Sequence, residues 1–343
     1  MKLIRMIFVF TVLLVGCDKK NVQLNDITES FKSFQETDSL HFIPITDEII
    51  GEPMKMLYIK EHLLLRINAS PGDSFLVNYS LKDNKIVSKA MKRGNGPNEM
   101  INCDISFYND NIWLYDVGKQ KIGKISTDSV IEGKCIINQY YKVPAYYYNT
   151  ALLNDSILIG TNDFTSSHKL SYLNIKSGEK KVCAPYAYLN EQIPISTLID
   201  ASSCYINIHP QSKDILLSYR YTDIIEIYDQ YGNIKKALKG PDCFDAIFSI
   251  RSNLSMGKTR DTRKAFVNSY TTEKYIYLLY SGCKRSDENW ANGTQLFVFS
   301  WDGKPLRRYI LDQPIYAFAV NDLNNELYSY SLQTGELLKT NLR

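Results

Sequence analysis

The residues that could do chemistry are scattered along this chain rather than gathered into a motif. His41, His62, His168 and His209 stand alone. None shares HxxxH or HxH spacing with another, so a zinc site would have to be assembled from distant segments. Serines are many, yet no Gly-x-Ser-x-Gly elbow presents one as a nucleophile. Gly94-Asn95-Gly96-Pro97-Asn98-Glu99 is glycine-rich like a phosphate loop. It lacks the Lys-Ser/Thr of such loops, Pro97 removes a backbone donor, and it does not open a recognisable helix. It reads instead as a structural link between strand units, with Arg93 and Glu99 placed to pair across it. Single acids such as Asp104, Asp163, Asp223 and Asp245 could together hold Ca²⁺, which takes oxygen ligands. Isolated acids more often sit in turns or face solvent. No catalytic, cofactor-binding or metal-binding residue is therefore assigned, and calcium is the one ion for which a route exists.

Aromatic side chains are the more informative class. Tyr140-Tyr141 and Tyr146-Tyr147-Tyr148-Asn149 form two clusters, and Trp290 lies in a polar insertion from Gly282 to Gly293. Rings at loop tips stack on sugar faces or anchor protein partners. Tyr146, Tyr147, Tyr148 and Trp290 are thus the candidate partner-binding residues, against the plainer reading that tyrosine fills strands. The insertion and the loop-like segment 251–264, with Lys258, Arg260, Arg263 and Lys264, are where a partner-specific surface is expected.

These residues need an address and a scaffold. The chain opens with Lys2 and Arg5, an apolar run from Met6 to Val15, then Gly16-Cys17. That is the pattern of a secretory signal, and its apolar run is shorter than the ~20 residues a membrane-spanning helix needs. Leu14-Val15-Gly16-Cys17 resembles the lipobox of bacterial lipoproteins, in which the cysteine is acylated after cleavage before it. Residues 1–16 are read as signal peptide, 17–39 as a lipidated tether and 40–343 as the folded domain. Surface-exported lipoproteins carry an acidic run just after the cysteine, whereas here Asp18 is followed by Lys19 and Lys20. This favours a periplasm-facing anchor over the cell surface, with the outer membrane expected and the choice between inner and outer left open.

Forty basic against 37 acidic residues leave no basic patch for nucleic acid and no acidic tail for a polycation. Six further cysteines, Cys103, Cys135, Cys183, Cys204, Cys243 and Cys283, show no CxxC spacing. Full pairing would allow 15 arrangements, and mostly free thiols are expected.

One theme recurs about six times: an apolar strand ending in Tyr or Phe, a turn of Asp, Asn, Gly and Lys, then a second strand. Asn111–Asp116 with Gly118-Lys119, and Gln295–Phe299 with Trp301-Asp302-Gly303, are examples. A second strand pair precedes most of these hairpins, giving the four-stranded blade of an all-β, six-bladed β-propeller. The last unit lacks one strand, while His41-Phe42-Ile43-Pro44-Ile45 stands unassigned before the first. Joining it to the last blade would close the ring and hide an exposed edge, with Pro44 suited to an outer position.

With lipobox, tether, six units and the link Arg93-Gly94-Asn95-Gly96-Pro97-Asn98-Glu99, the chain resembles the six-bladed, TolB-like propeller lipoproteins of Bacteroidota. Their Gly-x-Gly-Pro-x-Glu motif lies between the first two blades. The resemblance implies a fold more strongly than a function. The expected role is a cell-envelope binding or scaffolding module for a protein or glycan partner. The alternative is a calcium-dependent, lactonase-like or glycan-processing enzyme, which requires acids converging at the central channel. The partner, the oligomeric state and the face used are left open.

Overall fold

The computed structural model describes residues 20–22, 26–46, 48, 50–186, 193–323 and 325–342. The segment read as a signal peptide and Cys17 lie outside them. Blade 1 consists of Pro53–Ile59, His62–Ile67, Ser74–Ser80 and Lys85–Lys92, paired antiparallel in that order. Blades 2 to 5 repeat the pattern from Cys103 to Lys142, Asn149 to Pro185, Cys204 to Lys239 and Phe266 to Ile315. Blade 6 supplies three strands of its own, from Phe318 to Asn341.

Its fourth strand comes from the other end of the chain. Ile43–Pro44 pairs antiparallel with Leu338 and Lys339, and Ile45 N donates to Leu337 O at 2.8 Å. The ring is closed by the segment expected to close it, with Pro44 on the outer edge of the last blade.

Packing explains the unbroken apolar runs. Alternate side chains of a strand point to opposite faces, and each blade is covered by a neighbour on both. Leu64 packs toward blade 2, while Leu63 and Leu65 pack toward blade 6, and all three are buried. Leu76 and Val77 divide in the same way on the next strand. Blades 2 and 3 meet through Trp113, Tyr115, Leu158 and Leu173, and blades 5 and 6 through Leu296, Tyr309, Phe318 and Leu338.

The segment read as a tether departs from that reading. Lys20–Val22 pairs with Ala246–Phe248, Glu29–Ser30 runs parallel to the outer strand of blade 4, and Glu36–Leu40 parallel to that of blade 5. From residue 29 onward it is a strap laid across three successive blades. Phe31 and Phe34 hold it down, with ring centroids 5.5 Å and 4.7 Å from Phe299 and Phe297. Its polar and exposed strand residues gave no alternating pattern to read.

Between blades 4 and 5 the chain adds Ala246–Ile250 and Met256–Gly257, which form a small sheet with Lys20–Val22. A short helix, Ile195–Ala201, precedes blade 4. Among the described residues no helix is long and apolar enough to cross a membrane, and the six cysteines are free thiols.

Two outcomes test this architecture. Gly240 has φ +152°, and a Cβ there would lie 2.1 Å from Phe31 O of the strap. Gly240→Ala should therefore cost about 2–4 kcal/mol, read as a lower urea midpoint with unchanged slope. Deleting residues 40–46 removes buried Leu40 and Phe42, each worth about 2–5 kcal/mol, and uncovers a blade edge. That chain should show no cooperative thermal transition by circular dichroism. An unchanged melting temperature would mean the ring does not depend on its closing strand.

Candidate functional site

Because the inner strands of all blades run the same way, two kinds of loop share one face. These are the links between blades and the turns between second and third strands. Both features singled out by sequence lie there: Tyr146–Tyr148 in the link before blade 3, and Trp290 in the turn within blade 5. The cavity at this end of the channel is about 280 Å³, lined among others by Lys55, Arg66, Asp104, Tyr148, Tyr205 and Asn207. Its polar groups mostly face one another. Lys55 Nζ is 3.4 Å from Asp104 Oδ1, Arg66 Nε donates to Cys103 O at 2.6 Å, and Ser269 Oγ donates to Asn207 Oδ1 at 2.5 Å.

Beside the cavity the extra elements form a cap. Ile193, Leu198, Tyr221, Phe248 and Met256 make a small core of their own, with Trp290 packed against it. Thr197 Oγ1 donates to Leu254 O at 2.6 Å and Met256 N to Asp200 Oδ2 at 3.1 Å, joining helix to small sheet. The 258–265 segment and the 281–290 turn are stitched together. Lys264 N donates to Cys283 O, Gly282 N to Lys264 O, and the Trp290 indole N–H to Thr262 O at 3.2 Å. Asp223 anchors the start of this link by accepting from Cys243 N at 2.6 Å and Phe244 N at 3.1 Å. Burial is the main force on that carboxyl, and its pKa is raised to about 6.

On this cap three cations stand against aromatic rings. The Arg220 guanidinium is 5.1 Å from the Tyr148 ring centroid, 5.7 Å from Tyr205 and 5.9 Å from Tyr221. Lys258 Nζ is 5.6 Å from Tyr221 and 5.5 Å from Trp290. Lys264 Nζ is 5.2 Å from both rings. Tyr148 and Tyr205 also line the cavity, so cap and channel mouth form one continuous surface.

The expected site residues fare unequally. Tyr146 and Tyr148 are exposed, 54% and 47%, but Tyr147 is only 3% exposed. Consecutive residues of the link alternate in and out, and Tyr147 turns inward over Gly160, where a Cβ would lie 2.2 Å from its ring. It is a core residue, not a partner-binding one. Tyr140 lies under the Lys121 ammonium, 3.5 Å from the ring centroid, and Tyr141 leans on Trp113. Trp290 is half-buried as the wall of the cap. Of the segment's cations, Arg263 is structural: it pairs with Asp242 at 3.2 Å and covers Phe244 at 4.3 Å.

Arg93 and Glu99 do not pair. Arg93 Nη1 donates to Ala69 O at 2.8 Å, and Glu99 Oε2 accepts from Gly96 N at 2.8 Å. The Glu99 carboxylate folds over both glycines, and a Cβ on Gly94 would lie 2.1 Å from it. Pro97 follows in the same turn, which Lys119 closes by donating to Gly96 O and Glu99 O.

The four acids considered for calcium do not converge. Asp104 faces Lys55, Asp163 pairs with Lys180, Asp223 caps backbone N–H groups and Asp245 pairs with Lys239. Among the described residues no three His, Cys, Asp or Glu side chains are grouped to hold a metal. Arg220, Tyr205 and Tyr221 escaped the sequence reading. The only signal was a cation between tyrosines in the turn Tyr219-Arg220-Tyr221-Thr222-Asp223, which looks like any other hairpin end.

The family model for TolB-like 6-blade propeller-like proteins matches residues 30–323. Among solved structures, a DUF4221-family protein of Bacteroides vulgatus superposes with a TM-score of 0.56 at 12% identity, covering 89% of this chain and 96% of that one. A Bacteroides fragilis protein gives 0.55 at 11% identity, covering 92% and 100%. At such identities the likeness speaks for the fold alone. No curated protein matches the chain. Six blades in a closed ring, the glycine-proline link after the first of them, and a family match over most of the length agree: the chain belongs to the TolB-like six-bladed propeller family.

Proposed function

We propose that this protein is a cell-envelope lipoprotein, anchored through Cys17 in the outer membrane and facing the periplasm, whose propeller is a binding or scaffolding module. The signal-like first residues and the Leu14–Cys17 lipobox support the anchor. One observation carries the binding role. The elements added to the plain six-bladed pattern, namely helix, small sheet and long turn, gather on one face over blades 4 and 5. There Lys258 and Trp290 stand beside Tyr221 and Arg220, whose guanidinium is 5.1 Å from the Tyr148 ring at the cavity. A ring that needed only to be stable would not require them, and loops on a rigid scaffold are where binding is built. The rings and cations offered there suit a glycan or a protein surface.

Metabolic labelling with an alkynyl fatty acid should mark the wild-type chain and leave Cys17→Ser unmarked. Label retained in the variant would refute the anchor. A photo-crosslinking residue placed at Tyr148 or Lys258 should trap a partner in intact envelopes, or be shielded by a bound glycan. The same residue at Tyr231, 65% exposed in a turn on the opposite face, should do neither. Equal trapping at both faces would refute the assignment of the loop face.

A further inference from the structure

Lys264 is only 4% exposed. Among the described residues no carboxylate pairs with it, and no hydrogen bond to its ammonium exists. The fold handles its other deeply buried lysine differently. Lys169, 7% exposed, meets Glu226 at 2.7 Å, and Tyr219 and Tyr228 donate to the second oxygen of that carboxylate. Lys264 instead lies with two more cations around a single ring, Tyr221, whose centroid is within 6 Å of Arg220, Lys258 and Lys264. Arg220 Nε is itself buried without a partner. Ring faces recover part of the lost hydration, but three like charges in a half-dry site repel one another and lack a counter-charge. Burial, Arg220 and Lys258 together push the Lys264 ammonium well below its ordinary range.

Resting on the proposed binding role of this face, we propose that Arg220, Lys258 and Lys264 form an oxyanion site that takes the carboxylate or sulfate group of an acidic sugar. The anion supplies the missing counter-charge and accepts from donors that have no partner inside the protein. Charge-assisted bonds of this kind are the strong ones, and a guanidinium fork fits planar and tetrahedral oxyanions alike. The sugar follows from what adjoins the cations. Tyr148 presents an exposed ring, and the cavity it shares with Tyr205 is lined by Asn207, whose Oδ1 accepts from Ser269 while its NH₂ is left to donate. Amides and aromatic faces recognise hydroxyls and pyranose C–H faces.

The test titrates the mature chain, with Cys17 replaced to keep it soluble. Ligands are galacturonate and glucuronate oligosaccharides, a sulfated disaccharide, neutral oligosaccharides of equal length, inorganic sulfate, an acidic peptide and anionic vesicles. An acidic sugar should raise the melting temperature and bind at least about tenfold more tightly than its neutral counterpart, as one charged hydrogen bond implies. Lys264→Met should abolish that preference and, without ligand, melt higher than wild type, because an unpaired buried charge is gone. Lys258→Gln, an exposed change that leaves the cap intact, should weaken acidic-sugar binding severalfold. The proposal is overturned if sulfate alone, the peptide or the vesicles account for all binding, or if Lys264→Met melts lower and no anion shifts the wild type. Crosslinks from the loop face combined with indifference to every anion would remove this site and leave the binding role standing.

Discussion

Every blade of this ring is a sheet that must be covered on both faces, and the covering has to come from the blades beside it. A single open face would expose the row of leucines, isoleucines and aromatics that each strand buries. The requirement is circular, and it is met only when the last blade touches the first. Met56, Leu63 and Tyr79 of blade 1 pack with Ala319, Tyr328 and Leu337 of blade 6 across that seam. Ile43–Pro44, contributed to blade 6 just before blade 1 begins, ties the seam in the backbone as well.

The strap extends the same logic to the outside of the ring. Outer strands carry unpaired backbone groups, and a long flat edge is an invitation to pair with another chain. Residues 29–30 and 36–40 occupy the outer edges of blades 4 and 5 in parallel register before 43–44 takes that of blade 6. Those are also the blades over which the cap is built. The protein spends its extra chain on one half of the ring. Gly240 marks the tightness of the fit, since the strap carbonyl of Phe31 comes where a side chain would stand.

Much of this was legible in the residues. Apolar runs in strands such as Phe75–Ser80, turn chemistry at Asn84, Gly178, Gly232 and Gly303, and the missing strand of the final unit led to six blades and to their closure. All four turn residues adopt positive φ as such turns require. The strap was not legible because backbone pairing to an edge leaves no hydrophobic period: four of the five residues of Glu36–Leu40 are exposed. The cation–aromatic cluster was half legible. Trp290, Tyr148, Lys258 and Lys264 stood out by type, but Arg220 and Tyr221 come from another blade and meet them only through the ring's geometry. Tyr147 shows the limit of composition, since three adjacent tyrosines look alike in sequence and the middle one belongs to the core.

The chain ahead of the strap would set the length of the mooring that we propose through Cys17. Lys20 is already in register with Phe248 of the cap's small sheet, and Cys17 lies three residues upstream. At most ~3.6 Å per residue, an acyl group on Cys17 would be leashed to the cap by roughly 11 Å of chain. A propeller held so would ride close against the bilayer with its decorated side near the berth, not float at the end of a long line.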